Sequence, residues 1–162
     1  MKAALKRAKA KSPVDPEEQL QGFIDKFDAK NQKLIRDVRK HMRKRMPAAN
    51  ELVYDNYNFF VIAYCPTEKP TDSICSIASG ASGVGLCFPY YGAKLPDPHK
   101  ILLGSGTQNR FIRLESAATL ARPDVEALVA AAIKMAKVPL KAGAKGEVTI
   151  RAVSAKQRPR RK

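Results

Sequence analysis

The sequence contains no tryptophan, only two histidines and only three cysteines in 162 residues. The spacing of Cys65, Cys75 and Cys87 matches neither a CxxC redox motif nor a zinc-ligand pattern. Free thiols are typical of a reducing compartment, so we expect a cytoplasmic protein. No run of about 18 apolar residues is present, so no membrane span is expected. The basic N-terminus leads into residues 13–16, Pro-Val-Asp-Pro, and not into the apolar stretch of a secretory signal.

Acidic residues are scarce, because 15 Asp and Glu stand against 30 Lys and Arg, which gives a net charge of +15. Residues 1–12 and 141–162 together hold +12 of this charge. Basic segments of this kind commonly contact nucleic acids or other polyanions through phosphate groups. The alternative is that they only keep the protein soluble. The candidate nucleic-acid contacts are the basic residues Lys6, Arg7, Lys9, Lys11, Arg158, Arg160, Arg161 and Lys162.

Helical patterns occur near both ends of the chain. Pro16 opens a first helix, and the two acidic residues after it favour a helix N-terminus. Asp28 is the predicted N-cap of a second helix, which Pro47 ends. Pro123 opens a third helix, and Pro139 lies just past its end. The second helix has a basic face that is either solvated or in contact with a polyanion; its residues are Lys33, Arg36, Arg39, Lys40, Arg43 and Lys44.

Strand patterns fill the middle of the chain. Aromatic, β-branched and alternating residues predict strands at 52–57, 59–64, 74–79, 84–88 and 110–114. Short links between them favour a mostly antiparallel sheet with the N- and C-terminal helices on one face. We therefore predict an α+β two-layer sandwich of about five strands over residues 16–139. A basic arm, 1–15, precedes it, and a basic tail, 140–162, follows it with a candidate short strand at 148–153.

Motifs for catalysis and for metal binding are missing. No Ser-His-Asp spacing, paired-carboxylate motif or dinucleotide fingerprint is present, so we expect a protein that is not an enzyme and has no cofactor. His41 lies on the basic helix face, where neighbouring cations disfavour a metal ion. His99 lies in a loop near Asp97 and is expected to be solvated, so no metal site is predicted. The turn at 104–107, Gly-Ser-Gly-Thr, enters a strand and not the helix of a phosphate-binding loop.

Aromatic residues cluster in or beside the strands. Most of them should form the core, but a subset could line a cleft for a small anionic or aromatic ligand. The candidate ligand-binding residues are Tyr57, Phe59, Phe88 and Tyr91, with Arg110 or Arg113 as a polar anchor. Because side chains alternate along a strand, those two arginines should point to opposite faces. The same aromatic set could stack nucleic-acid bases.

The stretch 83–114 resembles the YdhG-like bacterial domain of unknown function. The segments that match are Gly85-Leu86-Cys87-Phe88, Tyr90-Tyr91-Gly92, Leu95-Pro96-Asp97-Pro98, Leu102-Leu103-Gly104-Ser105-Gly106 and Arg110-Phe111-Ile112-Arg113-Leu114. Upstream, residues 51–59 look like the first strand of that family. One departure is visible, since family members often have Met-Pro where this chain has Tyr57-Asn58. The resemblance covers roughly residues 18–137.

The resemblance implies a small binding or accessory protein of the YdhG-like family. That family includes a frataxin-like iron chaperone, which makes an intracellular iron chaperone the alternative function. A third hypothesis is a nucleic-acid-associated protein that acts through its basic segments. The acidic residues nearest to a frataxin-like ridge are few, and the helix that follows them is strongly cationic; they are Glu17, Glu18, Asp25 and Asp28.

Overall fold

The computed structural model describes residues 14–162, which contain three α-helices and six β-strands. The helices are α1 (Pro16–Ile24), α2 (Ala29–Arg45) and α3 (Pro123–Met135). The strands are β1 (Asn50–Asp55), β2 (Phe60–Cys65), β3 (Cys75–Gly80), β4 (Gly83–Phe88), β5 (Arg110–Leu114) and β6 (Val148–Val153). Among these residues no helix is both long and apolar enough to span a bilayer. The basic residues of 1–13 lie outside the described part of the chain.

The helix boundaries follow from capping. The Asp15 carboxylate accepts a hydrogen bond from the Glu18 amide at 3.2 Å. Asp28 does the same for α2, accepting from the Asn31 amide at 2.9 Å, and is the predicted N-cap. An aspartate at this position satisfies one of the free amides of the first turn. Each cap therefore fixes where its helix begins.

The six strands form one sheet in the order β5-β4-β3-β2-β1-β6. Neighbouring strands from β5 to β1 are antiparallel, and β6 pairs with β1 in parallel. The predicted α+β class and two-layer arrangement are confirmed, and the sheet has six strands where about five were expected. The sixth strand is the 148–153 segment.

All three helices pack on the same face of the sheet. Alternate strand residues point toward them and join one continuous core that includes Phe27, Ile35, Met42, Phe60, Ile62, Ile77, Leu86, Phe88 and Val125. The period of two along each strand sends the intervening residues to the opposite face. That opposite face has only a small buried cluster of Leu52, Ala63 and Cys65, with Tyr54 packed beside it.

The basic face of α2 is largely neutralised by acidic residues. Arg39 is buried and pairs with both Glu51, at 2.9 Å, and Glu17, at 2.6 Å. Arg43 reaches the same Glu51 carboxylate at 3.1 Å, and the buried Tyr64 hydroxyl donates to it. Arg36, Lys33 and Arg45 also have carboxylate partners. Four of the six residues of the α2 basic face therefore pair with carboxylates, whereas the exposed Lys40 and Lys44 form no ion pair within residues 14–162.

The segment 140–162 packs against the domain, which corrects the expectation of a separate tail. Beyond β6, the Gln157 side chain donates to the Asp55 carbonyl at 2.8 Å. Arg160 is only 4% exposed, and its guanidinium donates to the fully buried Asp55 carboxylate at 2.9 Å. Lys26 of the α1–α2 link pairs with the same carboxylate at 2.6 Å. A buried carboxylate requires such cations, so this contact fixes the C-terminal segment to the sheet.

Candidate functional site

The face of the sheet opposite the helices is lined by small and aromatic residues. One row of cross-strand neighbours on this face runs Tyr54, Val61, Ala78, Gly85 and Arg113, from β1 to β5. The next row runs Leu52, Ala63, Ser76, Cys87 and Phe111. The small residues of β3 and β4 leave a concavity between the bulkier residues at either side.

One part of this concavity, here called the glycine depression, has a volume of about 460 Å³. Its lining residues are Asn58, Phe59, Ala78, Gly80, Ala81, Ser82, Gly83, Val84, Gly85, Cys87, Asn109, Phe111, Arg113, Arg158 and Pro159. A volume in this range is typical of sites for small ligands. Among these lining residues there is no aspartate or glutamate.

Glycines form the floor of the glycine depression, and the Phe59 ring leans over it. A Cβ added at Gly80 would lie 3.3 Å from a carbon of that ring, so the ring packs directly on the glycine backbone. Gly83 has φ +139°, a conformation that side chains rarely adopt, and makes the tight β3–β4 turn. Phe59 is 51% exposed, so part of its ring remains accessible to a ligand in the depression.

Two arginines at the rim give the glycine depression its positive charge. The Arg113 guanidinium lies 5.9 Å from the centre of the Phe111 ring, and that of Arg158 lies 5.9 Å from the centre of the Tyr57 ring. Within residues 14–162 neither side chain forms an ion pair. Stacking on an aromatic ring orients a guanidinium and leaves its N–H groups available for an anion.

The C-terminal segment places Arg158 at this rim. The Arg158 amide donates to the Tyr57 carbonyl at 2.8 Å, and Arg160 two residues later is held by Asp55. Arg158 and Pro159 therefore form one wall of the depression, although they lie about 70 residues from the nearest floor glycine in sequence.

Cys87 contributes a thiol to the floor. Burial raises its pKa to about 11, so the thiol is protonated at neutral pH. Burial also raises the pKa of Cys75, on the core side of the sheet, to about 12. A protonated thiol is a poor nucleophile, so Cys87 acts here as a small apolar surface.

A second concavity, here called the tyrosine depression, adjoins the first on the same face. It has a volume of about 450 Å³ and is lined by Tyr54, Asn56, Val61, Ala63, Pro70, Ser73, Ser76, Pro89 and Tyr90. Its Val61 pairs with Ala78 of the glycine depression, and its Ser76 pairs with Cys87. The two depressions therefore meet along β2 and β3.

The predicted ligand-binding residues do not share one cleft. Phe59 and Arg113 line the glycine depression, and Tyr57 lies behind Arg158 at its edge. Phe88 is 1% exposed and belongs to the core on the helix side, because it alternates with Cys87 along β4. The expectation that Phe88 lines an open ligand cleft is therefore corrected.

Two other candidates also lie away from the glycine depression. Tyr91 lines a small crevice beside α3 whose volume is only about 10 Å³. The Arg110 side chain donates to the carbonyls of Gly106 and Asn109, at 2.6 and 2.7 Å, and so stabilises its own loop. Arg110 and Arg113 point to opposite faces, as the alternation along β5 requires.

The predicted nucleic-acid residues separate into three groups. Lys6, Arg7, Lys9 and Lys11 lie outside the described residues. Arg160 is buried against Asp55, and Arg161 donates to the Lys26 carbonyl at 3.1 Å, so these two are structural contacts of the C-terminal segment. Arg158 and Lys162 are exposed, and Arg158 belongs to the site.

Sequence reasoning missed the glycine floor, Phe111 and the C-terminal wall. The signal for the floor was present, because Ala78, Gly80, Gly83 and Gly85 are small and share one face of the β3–β4 hairpin. Nothing in the local sequence of Arg158 indicates its partner across the sheet. Over residues 14–162 no group of three or more His, Cys, Asp or Glu side chains is placed to hold a metal ion.

Comparisons with known protein families, curated proteins and solved structures find no match to this chain.

Proposed function

We propose that this chain is a non-enzymatic binding protein of the YdhG-like type, and that its ligand is a small aromatic anion held in the glycine depression. The proposal depends on one observation: Arg113 and Arg158, which have no acidic partner in the described part of the chain, lie beside aromatic rings above a floor of glycines. We further propose a cytoplasmic location, supported by three free thiols.

The physical argument combines stacking with charge. Among the described residues, a Cβ added at Gly83 or Gly85 would have no side-chain atom within 4 Å, so a planar ring can lie over these two glycines beside Phe59. An anionic substituent then reaches the guanidinium groups at the rim, which donate in a planar fork. Hydrogen bonds to charged groups are stronger than those between neutral groups, so the anion should contribute much of the affinity. The lack of acidic lining residues avoids repulsion.

The proposal is tested by titrating the full chain with naphthalene-2-sulfonate and with adenosine 5′-monophosphate, using isothermal calorimetry. We expect saturable binding of one molecule per chain. Arg113→Gln should weaken it about 10-fold or more, because it removes a charge-assisted hydrogen bond. Ala78→Leu should weaken it as well, by filling the floor without changing the charge.

Lys134→Gln is the matched control, since Lys134 is exposed on α3 in the helix layer and the substitution removes the same charge. It should bind as the unchanged protein does. Equal affinity of Arg113→Gln, Ala78→Leu and Lys134→Gln, or no saturable binding of either probe, would refute the proposed function.

We also propose that the basic segment 1–15 speeds the association of an anionic ligand with the protein. Residues 1–12 carry five lysines and arginines and no acidic residue, and such a positive charge raises the rate at which anions encounter a protein. Removing residues 1–12 should therefore lower the association rate of an anionic ligand more at low salt than at high salt. Stopped-flow measurements at two salt concentrations would show this, and an unchanged rate would assign the segment to solubility alone.

A further inference from the structure

We infer that the physiological ligand of the open sheet face is a single-stranded nucleic acid that crosses both depressions. The inference rests on the proposed function, because it uses the glycine depression as one of two adjoining subsites. It adds the tyrosine depression, which a single small anion would leave empty.

The two depressions form a continuous surface. They meet where Val61 pairs with Ala78 and where Ser76 pairs with Cys87. The row from Tyr54 on β1 to Arg113 on β5 spans four strand spacings, about 19 Å at about 4.8 Å each. Each depression has a volume near 450 Å³, so the surface is too long for one nucleotide and suits a short run of them.

Aromatic rings are present in both halves of this surface. Phe59 and Phe111 line the glycine depression, and Tyr54 and Tyr90 line the tyrosine depression. Phe59 is 51% exposed and the other three rings are partly exposed, so each has some surface on which a base can stack. Stacking is largely independent of base identity, which gives affinity with little sequence preference. A duplex keeps its base faces stacked inside, so rings on a sheet surface favour single strands.

The charge distribution on the open sheet face suits a polyanion. Neither depression has an acidic lining residue, and the rim arginines Arg113 and Arg158 are without acidic partners in residues 14–162. On the helix side, in contrast, Arg36, Arg39 and Arg43 are neutralised by carboxylates. A phosphate backbone would therefore find unpaired cations at the edge of the sheet face.

The test measures fluorescence anisotropy of a fluorescein-labelled thymidine octanucleotide with the full chain. We expect Phe59→Ala and Tyr90→Ala each to weaken binding about 5- to 150-fold, the range for loss of one base-stacking ring. Tyr90→Phe should restore binding, because it keeps the ring. Arg113→Gln should reduce the slope of log K against log salt by about 0.7, the value for one phosphate contact on a single strand.

Two controls separate this inference from the proposed function. Lys134→Gln, on the helix layer, should leave the octanucleotide affinity unchanged. Tyr90→Ala should leave naphthalene-2-sulfonate binding unchanged, because Tyr90 lines only the second depression. All variants retain residues 1–13, so the contribution of that basic segment is the same in each.

Several results would overturn the inference. If Phe59→Ala and Tyr90→Ala both leave octanucleotide affinity unchanged, the binding would be assigned to the basic segments alone. Tighter binding of the matching duplex, or no octanucleotide binding, would exclude a single-stranded ligand. In each of these cases the proposed function would still stand if Arg113→Gln weakens naphthalene-2-sulfonate binding. If Arg113→Gln leaves that binding unchanged, the proposed function and the single-stranded nucleic-acid inference would both be wrong.

Discussion

Replacing Arg160 by methionine removes the cation that holds the C-terminal segment against the sheet. Arg160 donates to the Asp55 carboxylate at 2.9 Å and to the Asn56 carbonyl at 2.5 Å. Because the Asp55 side chain is fully buried, its charge cannot be hydrated when this partner is lost. Methionine keeps much of the side-chain volume, so the substitution tests the charge more than the packing.

The expected loss is about 3 kcal/mol in the free energy of unfolding. Removing one partner of a buried ion pair costs about 3–5 kcal/mol. The lower value applies here, because Lys26 still pairs with Asp55 at 2.6 Å from a partly exposed position. For a domain of this size, about 3 kcal/mol corresponds to a fall of about 6–12 °C in the melting temperature.

Urea unfolding followed by circular dichroism measures this loss. Arg158→Met is the matched control, since Arg158 is exposed, has no ion pair and lies two residues away; it should change stability by less than about 0.5 kcal/mol. The double variant with Asp55→Asn should lose less than the sum of the two single losses, with a coupling of about 2 kcal/mol. Equal stabilities for Arg160→Met and Arg158→Met would refute the assignment of residues 154–162 to the folded domain.

Three further predictions concern acid stability, thiol reactivity and metal binding. A hydrogen bond from Arg39 lowers the pKa of Glu17 from 4.5 to about 2, so its stabilising contribution is complete above about pH 4.5 and is lost as the pH falls toward 2. In urea unfolding, Glu17→Gln should flatten the pH dependence over that window, whereas Glu18→Gln, at an exposed position without an ion pair in residues 14–162, should not. At pH 8, Cys87 should react with iodoacetamide about 100-fold more slowly than an ordinary thiol, because burial raises its pKa from 9 to about 11; mass spectrometry would measure this, and alkylation at an ordinary rate would contradict it. Anaerobic calorimetry should show no micromolar binding of Fe(II), and stoichiometric binding that Asp25→Asn abolishes would instead support the iron chaperone.

Much of the fold could be predicted from local sequence. Proline and aspartate mark the helix starts, and alternation assigns the faces of β4 and β5, because both signals arise from backbone geometry within a few residues. The strand at Arg110–Leu114 was predicted with the observed bounds. The C-terminal segment was harder, because its many cations resemble a solvated tail and the partner of Arg160 lies 105 residues away.

The candidate site was predictable only in part. Phe59 and Arg113 were among the expected ligand residues, and both lie in the glycine depression. Phe88 was included because it is aromatic and close in sequence, but alternation with Cys87 sends it into the core. The small residues on one face of the β3–β4 hairpin indicate a floor, but local sequence does not show that the residues around Gly85 leave the space above it open.

The parallel pairing of β6 with β1 has a consequence for how the chain is made. β6 begins about 90 residues after β1 ends, so β1 is synthesised and paired with β2 long before its other neighbour exists. Throughout that interval β1 has an open edge, with amide and carbonyl groups available to any extended strand. Several ribosomes translate one messenger RNA at the same time, so nascent chains lie close together. The open edge of β1 in one chain is then available for pairing with an extended strand of the next chain. The late arrival of β6 covers the β1 edge and ends its exposure, while Arg160 holds the segment that follows β6 against the sheet.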